Sequence, residues 1–291
     1  MNKTVKTAIS SLALLTLFAT AGCTQETITT TTASTTPKTS SAPVTTATVA
    51  PTTAGTDPTV VAPAQIAPPN ATANGDAVVV FPDFVQAGAI VVDVHSDFQC
   101  PACQLYDFYF GNALKSLAAQ GQIELRIHPR TIIGDALIRN DSSLRAAIGA
   151  TCADTVGHFI DYHDTVFANQ PKEGVGYSDA DLRDNFALMA GISGDSLTRF
   201  QTCYDERATQ DWVNSAELLS RNTSVPNHSQ FATGITATPT FLANGFYIPL
   251  HTAVNADDSV TDAKVLQVIR EAATGTVQYP LPDPAASPTD S

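Results

Sequence analysis

Two cysteines three residues apart, Cys100-Pro-Ala-Cys103, fall where the chain changes its periodicity. Before them, "AIVVDVH" (89–95) is a β-branched run that reads as a mostly buried strand. After them, Leu105, Tyr109, Leu114 and Leu117 recur at roughly helical spacing, and Gly121 closes the pattern. Pro101 suits the first turn of that helix, where a missing N–H loses no hydrogen bond. A cysteine at such a start meets unpaired N–H groups and the positive end of the helix dipole, and both favour its thiolate. The thiolate is the nucleophile in disulfide exchange, and a low pKa also makes it a good leaving group. Cys100 occupies that place, which suits a nucleophile. Cys103 lies one turn on, near enough to close a small disulfide or resolve a mixed one. The competing readings are half of a metal site and an inert structural disulfide.

The N-terminus is set apart from the fold. Lys3 and Lys6 precede a short apolar run, "TAISSLALLTLFATAG", that ends in small residues before Cys23. Residues 1–22 read as an export signal. "TAGC" (20–23) resembles the lipobox of bacterial lipoproteins, which implies that Cys23 is lipidated and heads the mature chain. Thr20 departs from that pattern, which usually has Leu, and ordinary secretion is the alternative. Lipidation implies a protein held outside the cytoplasm by acyl chains rather than by a spanning helix. No second apolar run is long enough to span. Residues 23–75 are dominated by Thr, Ala and Pro, without aromatics or apolar periodicity. Such a segment cannot bury enough surface to offset its ordering entropy, so a disordered tether is expected. The tail 280–291 is Pro-rich and expected to be loose.

Net charge is −13, and no basic run follows residue 6. Nucleic acid is excluded as a partner, since binding phosphates needs clustered Lys and Arg. The five cysteines are 23, 100, 103, 152 and 203. With Cys23 consumed, four remain, and an exported protein favours pairing them. Four allow three pairings, the simplest being Cys100–Cys103 with Cys152–Cys203. A zinc site would want a second ligand pair at defined spacing, whereas Cys152 and Cys203 stand alone and the six His form no recognisable cluster. No metal and no cofactor are expected.

The remaining patterns give an element order. "AVVVF" (77–81) and "QIELRIHP" (122–129) read as strands flanking the first strand–helix unit. Three helical blocks follow: 143–170, 178–191 with Ser178 as N-cap and Asp181 near the capping-box position, and 194–222, a block open to interruption. "TPTFLANGFYIPL" (238–250) reads as a hairpin about Asn244-Gly245. Residues 261–275 form a final amphipathic helix capped by Thr261. The order β–β–α–β, helical block, β–β–α describes one α/β domain wearing an all-helical cap. Its segments are 76–130, 131–233 and 234–279. Trp212 and the Phe and Tyr residues of the helices are expected in the core, and the acids at 179–184 on a solvated face.

"ATPTF" (237–241) brings the motifs together, because with the CxxC it resembles the thioredoxin superfamily. In that family a cis-proline loop faces the CxxC and pairs with the substrate peptide. The resemblance implies a cis Pro239, with Thr238 offering its backbone. "DFQCPAC", "ITATPTFLANG" and the helical insertion resemble the DsbA-like branch over roughly residues 76–275. "HDTVFANQP" and "YSDADL" look like exported members from high-GC Gram-positive bacteria. The resemblance implies a thioredoxin fold with an all-helical insertion and thiol:disulfide oxidoreductase activity on exported client proteins. It also implies a membrane redox partner of the VKOR-like kind and a structural disulfide in the insertion, here Cys152–Cys203. Many members carry a buried Glu six residues before the first Cys; here that position is Val94. Asp93 and Asp97 are the nearby acids, and strand alternation puts Asp93 on the opposite face from Val94. His95 reads as a strand histidine near the surface, or as a charge that, with Asp97, tunes the Cys100 thiolate. Three functions compete: a dithiol oxidase, a reductase or isomerase fed by a membrane electron donor, and a non-catalytic surface binding lipoprotein.

Overall fold

The sheet is built around β2 (Ile90–Asp97), whose β-branched run suits a strand covered on both faces. β3 (Ile123–Arg130) lies parallel beside it, in a register that sets Val92 by Leu125 and Val94 by Ile127. β1 (Val78–Val80) pairs antiparallel with β3 at one edge. On the other side β4 (Thr240–Ala243) runs antiparallel to β2, and β5 (Phe246–Tyr247) follows it through the Asn244-Gly245 turn. The strand order is β1-β3-β2-β4-β5. The structure, a computed structural model, describes residues 63–134 and 140–279. The expected export signal, Cys23, most of the tether and the tail 280–291 lie outside these residues.

The parallel β2–β3 pair needs a crossover, and the helix opened by the CxxC supplies it. α1 (Pro101–Tyr106) runs through a π-helical turn at Asp107–Gly111 into α2 (Asn112–Ala119). Leu114 and Leu117 bury inward, while Leu105 (53%), Tyr109 (43%) and Phe108 (76%) stay exposed. The expectation that the helical aromatics are core therefore holds for Trp212 and fails for Phe108 and Tyr109. The π turn rotates this part of the helix by adding one residue to the turn, so the 3.6-residue pattern drawn through Leu105 and Tyr109 does not mark the buried face.

The helical insertion follows β3. The expected helical block over 143–170 is two helices, α3 (Ser142–Asp154) and α4 (Phe159–Ala168), parted at Gly157 with φ 80°. Ser178 caps the next block: its hydroxyl accepts from the Asp181 N–H at 3.0 Å. That block contains a π turn (Asp181–Asn185) and α5 (Phe186–Met189). The third block is α6 (Gly194–Asp205) and α7 (Gln210–Asn222), separated at Arg207 with φ 49°. α8 (Asp262–Ala272) closes the fold, with the Thr261 hydroxyl accepting from the Lys264 N–H at 3.3 Å.

Two links secure the insertion. Cys152 of α3 is disulfide-bonded to Cys203 of α6. Arg130, at the end of β3 and fully buried, donates to the Glu217 carboxylate of α7 at 2.8 and 3.2 Å and to the Ile235 carbonyl at 2.8 Å.

The segment expected to be tether up to residue 75 joins the fold earlier. The Ile66 N–H donates to the Ala208 carbonyl at 2.8 Å. Asn70 donates its backbone N–H and its side-chain amide to the Asp154 carboxylate, both at 2.8 Å. Ala71 bridges Val78. Composition counts the apolar residues a segment can bury. This segment is held instead by hydrogen bonds, of which those to Ala208 and Asp154 reach more than eighty residues along the chain.

Candidate active site

Cys100 sits at the N-cap of α1 in extended conformation (φ −81°, ψ 115°), with Pro101 in the first turn. Both cysteines are buried free thiols. The Thr238–Pro239 peptide is cis, and it faces the pair: the Cys100 thiol donates to the Thr238 carbonyl at 3.5 Å. The Cys103 thiol, backbone hydrogen bonds at Cys103 and Ala102, and the Thr238 side chain together outweigh burial and bring the Cys100 pKa down to about 6. Cys103 moves the other way. Burial and the neighbouring Cys100 sulfur push it well above the ordinary thiol value, against weaker help from Asp97 and Ser96. One turn of helix thus separates a thiol that ionises easily from one that resists ionisation.

The insertion holds the turn that presents Cys100. The Gln170 side-chain amide donates to the Phe98 carbonyl at 2.7 Å and the Cys100 carbonyl at 3.1 Å. The Tyr177 hydroxyl donates to the same Phe98 carbonyl at 2.6 Å. Asp97, fully buried, accepts from the Gln99 N–H at 2.9 Å, the Ile133 N–H at 2.8 Å and the Ser143 hydroxyl at 2.7 Å. Burial outweighs these bonds and raises its pKa to about 6, and the Cys100 charge adds to the rise. Sequence reasoning missed Gln170, Tyr177 and Ser143. Nothing local to them points at a site over forty residues away.

His95 corrects the sequence reading in both its forms. It is 1% exposed, so it is not near the surface. Its ring stacks on that of His128, with centroids 3.9 Å apart, and neither ring nitrogen has a hydrogen-bond partner. Burial, then His128 and Arg130, drives its pKa well down, so the ring is neutral. It therefore brings no charge to Cys100. Its neighbour Asp93 pairs with His128 at 2.9 Å. Val94, on the opposite face, lines the cavity under Cys103 as alternation requires.

That cavity, about 30 Å³, is also lined by Ser96, Tyr106, Asp107, Lys115, His163 and Pro239. Asp107, His163 and Asp164 bring polar atoms within 4.8 Å of one another. The ammonium of Lys115 pairs with Asp164, so this corner already carries its cation.

A CxxC at a helix start and a cis-Pro loop facing it sit on a β1-β3-β2-β4-β5 sheet. The thioredoxin family model, described as "Thioredoxin", matches residues 86–270, well over half of the chain. The chain belongs to the thioredoxin family. Its fold is similar to that of the MdbA protein, a thiol-disulfide oxidoreductase from Corynebacterium diphtheriae, with 13% identity, 70% of this chain and 92% of that one covered, and a TM-score of 0.52. The MdbA protein from Actinomyces oris matches with 16% identity, 68% and 89% coverage, and a TM-score of 0.51. The one from Corynebacterium matruchotii matches with 15% identity, 62% and 85% coverage, and a TM-score of 0.50. A search of curated protein sequences returns no match. The expected thioredoxin fold with a helical insertion is the fold observed.

Proposed function

We propose that this thioredoxin-family protein is an extracytoplasmic thiol:disulfide oxidoreductase that oxidises cysteine pairs of exported proteins. The observation that carries this is the asymmetry of the pair: Cys100 is lowered to about 6 while Cys103 is raised. A client thiolate attacks Cys100 of the enzyme disulfide and Cys103 leaves. A second client thiolate then attacks the client sulfur of the mixed disulfide and Cys100 leaves as a stable thiolate. The client loses two electrons and the enzyme pair gains them. Stabilising the Cys100 thiolate stabilises the reduced enzyme, which makes its disulfide the better oxidant. Thr238 and Pro239 form the surface that receives the client backbone, and Asp97 sets the turn below Cys100. Cys152–Cys203 has a structural role.

The fold shared with the MdbA thiol-disulfide oxidoreductases supports this reading. The export signal over 1–22 and lipidation at Cys23 would put the enzyme on the outer face of the cell membrane. Among the described residues, no helix is long and apolar enough to cross a membrane. A VKOR-like membrane partner reoxidises the pair.

The test is the equilibrium reduction potential of the protein in glutathione buffers. A value well above about −200 mV is expected. A value near or below about −270 mV overturns the oxidase direction and makes the protein a reductase. Unimpaired function after Cys100→Ser would instead support a binding protein.

A further inference from the structure

Resolving a mixed disulfide requires Cys103 to lose its proton, and opening the enzyme disulfide requires Cys103 to gain one. The thiol is 2% exposed, so bulk water does not reach it directly. The position on β2 that faces it is Val94, which cannot carry a proton. The other strand residues walling its cavity, among them Ser96, Leu125, Ile127 and Phe241, have no group that titrates near neutral pH. The charged groups come from the helices.

Asp107 and Lys115 line this cavity, and both also line a second space on its outer side. That second space is an open groove of about 820 Å³ between the CxxC helix and α4. The cavity under Cys103, at about 30 Å³, has room for a water. Lys115 is committed to its ion pair with Asp164. Asp107 lies one helical turn after Cys103, in the π turn, and no hydrogen bond from another described side chain ties down its carboxylate. Gly111 makes space for it: a Cβ at Gly111 would lie 2.7 Å from Asp107 Oδ1.

We propose that the Asp107 carboxyl exchanges the Cys103 proton with solvent, through the cavity beneath the thiol on one side and the open groove on the other. The proposal rests on the redox reading of the pair given above. When a client thiolate attacks Cys100, the new sulfur–sulfur bond forms, the Cys100–Cys103 bond breaks, and the electron pair stays on Cys103. Asp107 gives its proton to that thiolate and is reprotonated from the groove. In the opposite direction the Cys103 thiol gives its proton to the Asp107 carboxylate as its sulfur attacks Cys100 of the mixed disulfide, and the client thiolate leaves. Protons and electrons balance without a further reagent. Burial raises the Asp107 pKa, so this acid holds a proton closer to neutrality than a surface Asp does. His163 and Asp164 of α4 and Lys115 of α2 face it: His163 and Lys115 oppose the rise, and Asp164 adds to it.

The test loads Cys100 of the full chain with glutathione and follows glutathione release by Cys103 as pH varies. Asp107→Asn is expected to slow release about tenfold to a hundredfold near neutral pH, with the deficit closing as hydroxide takes over at alkaline pH. Asp107→Glu recovers part of the neutral rate. Gly111→Ala, which crowds the carboxylate without removing it, shows the same pH-dependent deficit and serves if Asp107→Asn does not fold. A variant profile parallel to the wild type, or lowered equally at every pH, overturns the proposal. Wild-type protein that forms no mixed disulfide at Cys100 overturns the redox reading itself.

Discussion

Cys100 Sγ lies 3.5 Å from the carbonyl oxygen of Thr238, 138 residues along the chain. The first half of the domain contributes the thiol, and the second half contributes the backbone group facing it. The antiparallel pairing of β4 with β2 joins them, setting Phe241 beside Val94 and Thr240 beside His95.

Reduced protein is expected to gain stability with rising pH through the Cys100 thiolate. The folded pKa, about 6, is below the ordinary 9.0. The unfolded chain therefore holds the proton more tightly, and stability rises from about pH 6 to about pH 9. This contribution is complete above the unfolded value and lost as pH falls through the folded one. Denaturant midpoints of the reduced protein should show the rise, and Cys100→Ala should flatten it. Thiolate ultraviolet absorbance should titrate near 6 in the same sample.

Glu217→Gln is expected to cost about 3–5 kcal/mol, because it leaves the fully buried Arg130 guanidinium without its counter-charge. The same carboxylate accepts from the Thr131 N–H at 3.1 Å and pairs with Arg221. Urea unfolding measures the loss. An unchanged midpoint would show that the pair does not hold α7 to β3.

Replacing both Cys152 and Cys203 by Ala is expected to lower stability by about 2–5 kcal/mol. The bond joins α3 and α6 through cysteines 51 positions apart in sequence. Glutathione exchange at Cys100 should keep its rate while the unfolding midpoint drops. A loss of exchange with stability intact would make this bond part of the redox cycle.

Asn70→Ala is expected to destabilise the fold by about 1–3 kcal/mol, because the Asp154 carboxylate, 3% exposed, loses the side-chain amide that faces it. The effect should shrink as pH falls. Burial raises the Asp154 pKa, so in acid the neutral carboxyl has less need of a donor. Thermal unfolding at neutral and acidic pH measures both.

The CxxC, the hairpin and the order of elements along the chain were legible because each is written in adjacent residues, and the cis-Pro segment was read from the family resemblance. Pro101 marks a helix start, Asn244-Gly245 a turn, and β-branched runs mark strands. The break at Gly157 was less legible, since one left-handed residue interrupts apolar spacing that otherwise runs on. His95 was misread because burial of a polar ring depends on what covers the strand, here His128 from the next strand.

By itself the sequence determined the chemistry available: two cysteines at a helix start, where N–H groups and dipole act over a few residues. Only the tertiary structure decided which groups surround them. Thr238 opposite Cys100, Gln170 and Tyr177 on the preceding turn, and Asp107 between cavity and groove owe their places to packing. Local sequence sets backbone conformation, whereas burial and proximity arise from contacts between segments far apart in the chain.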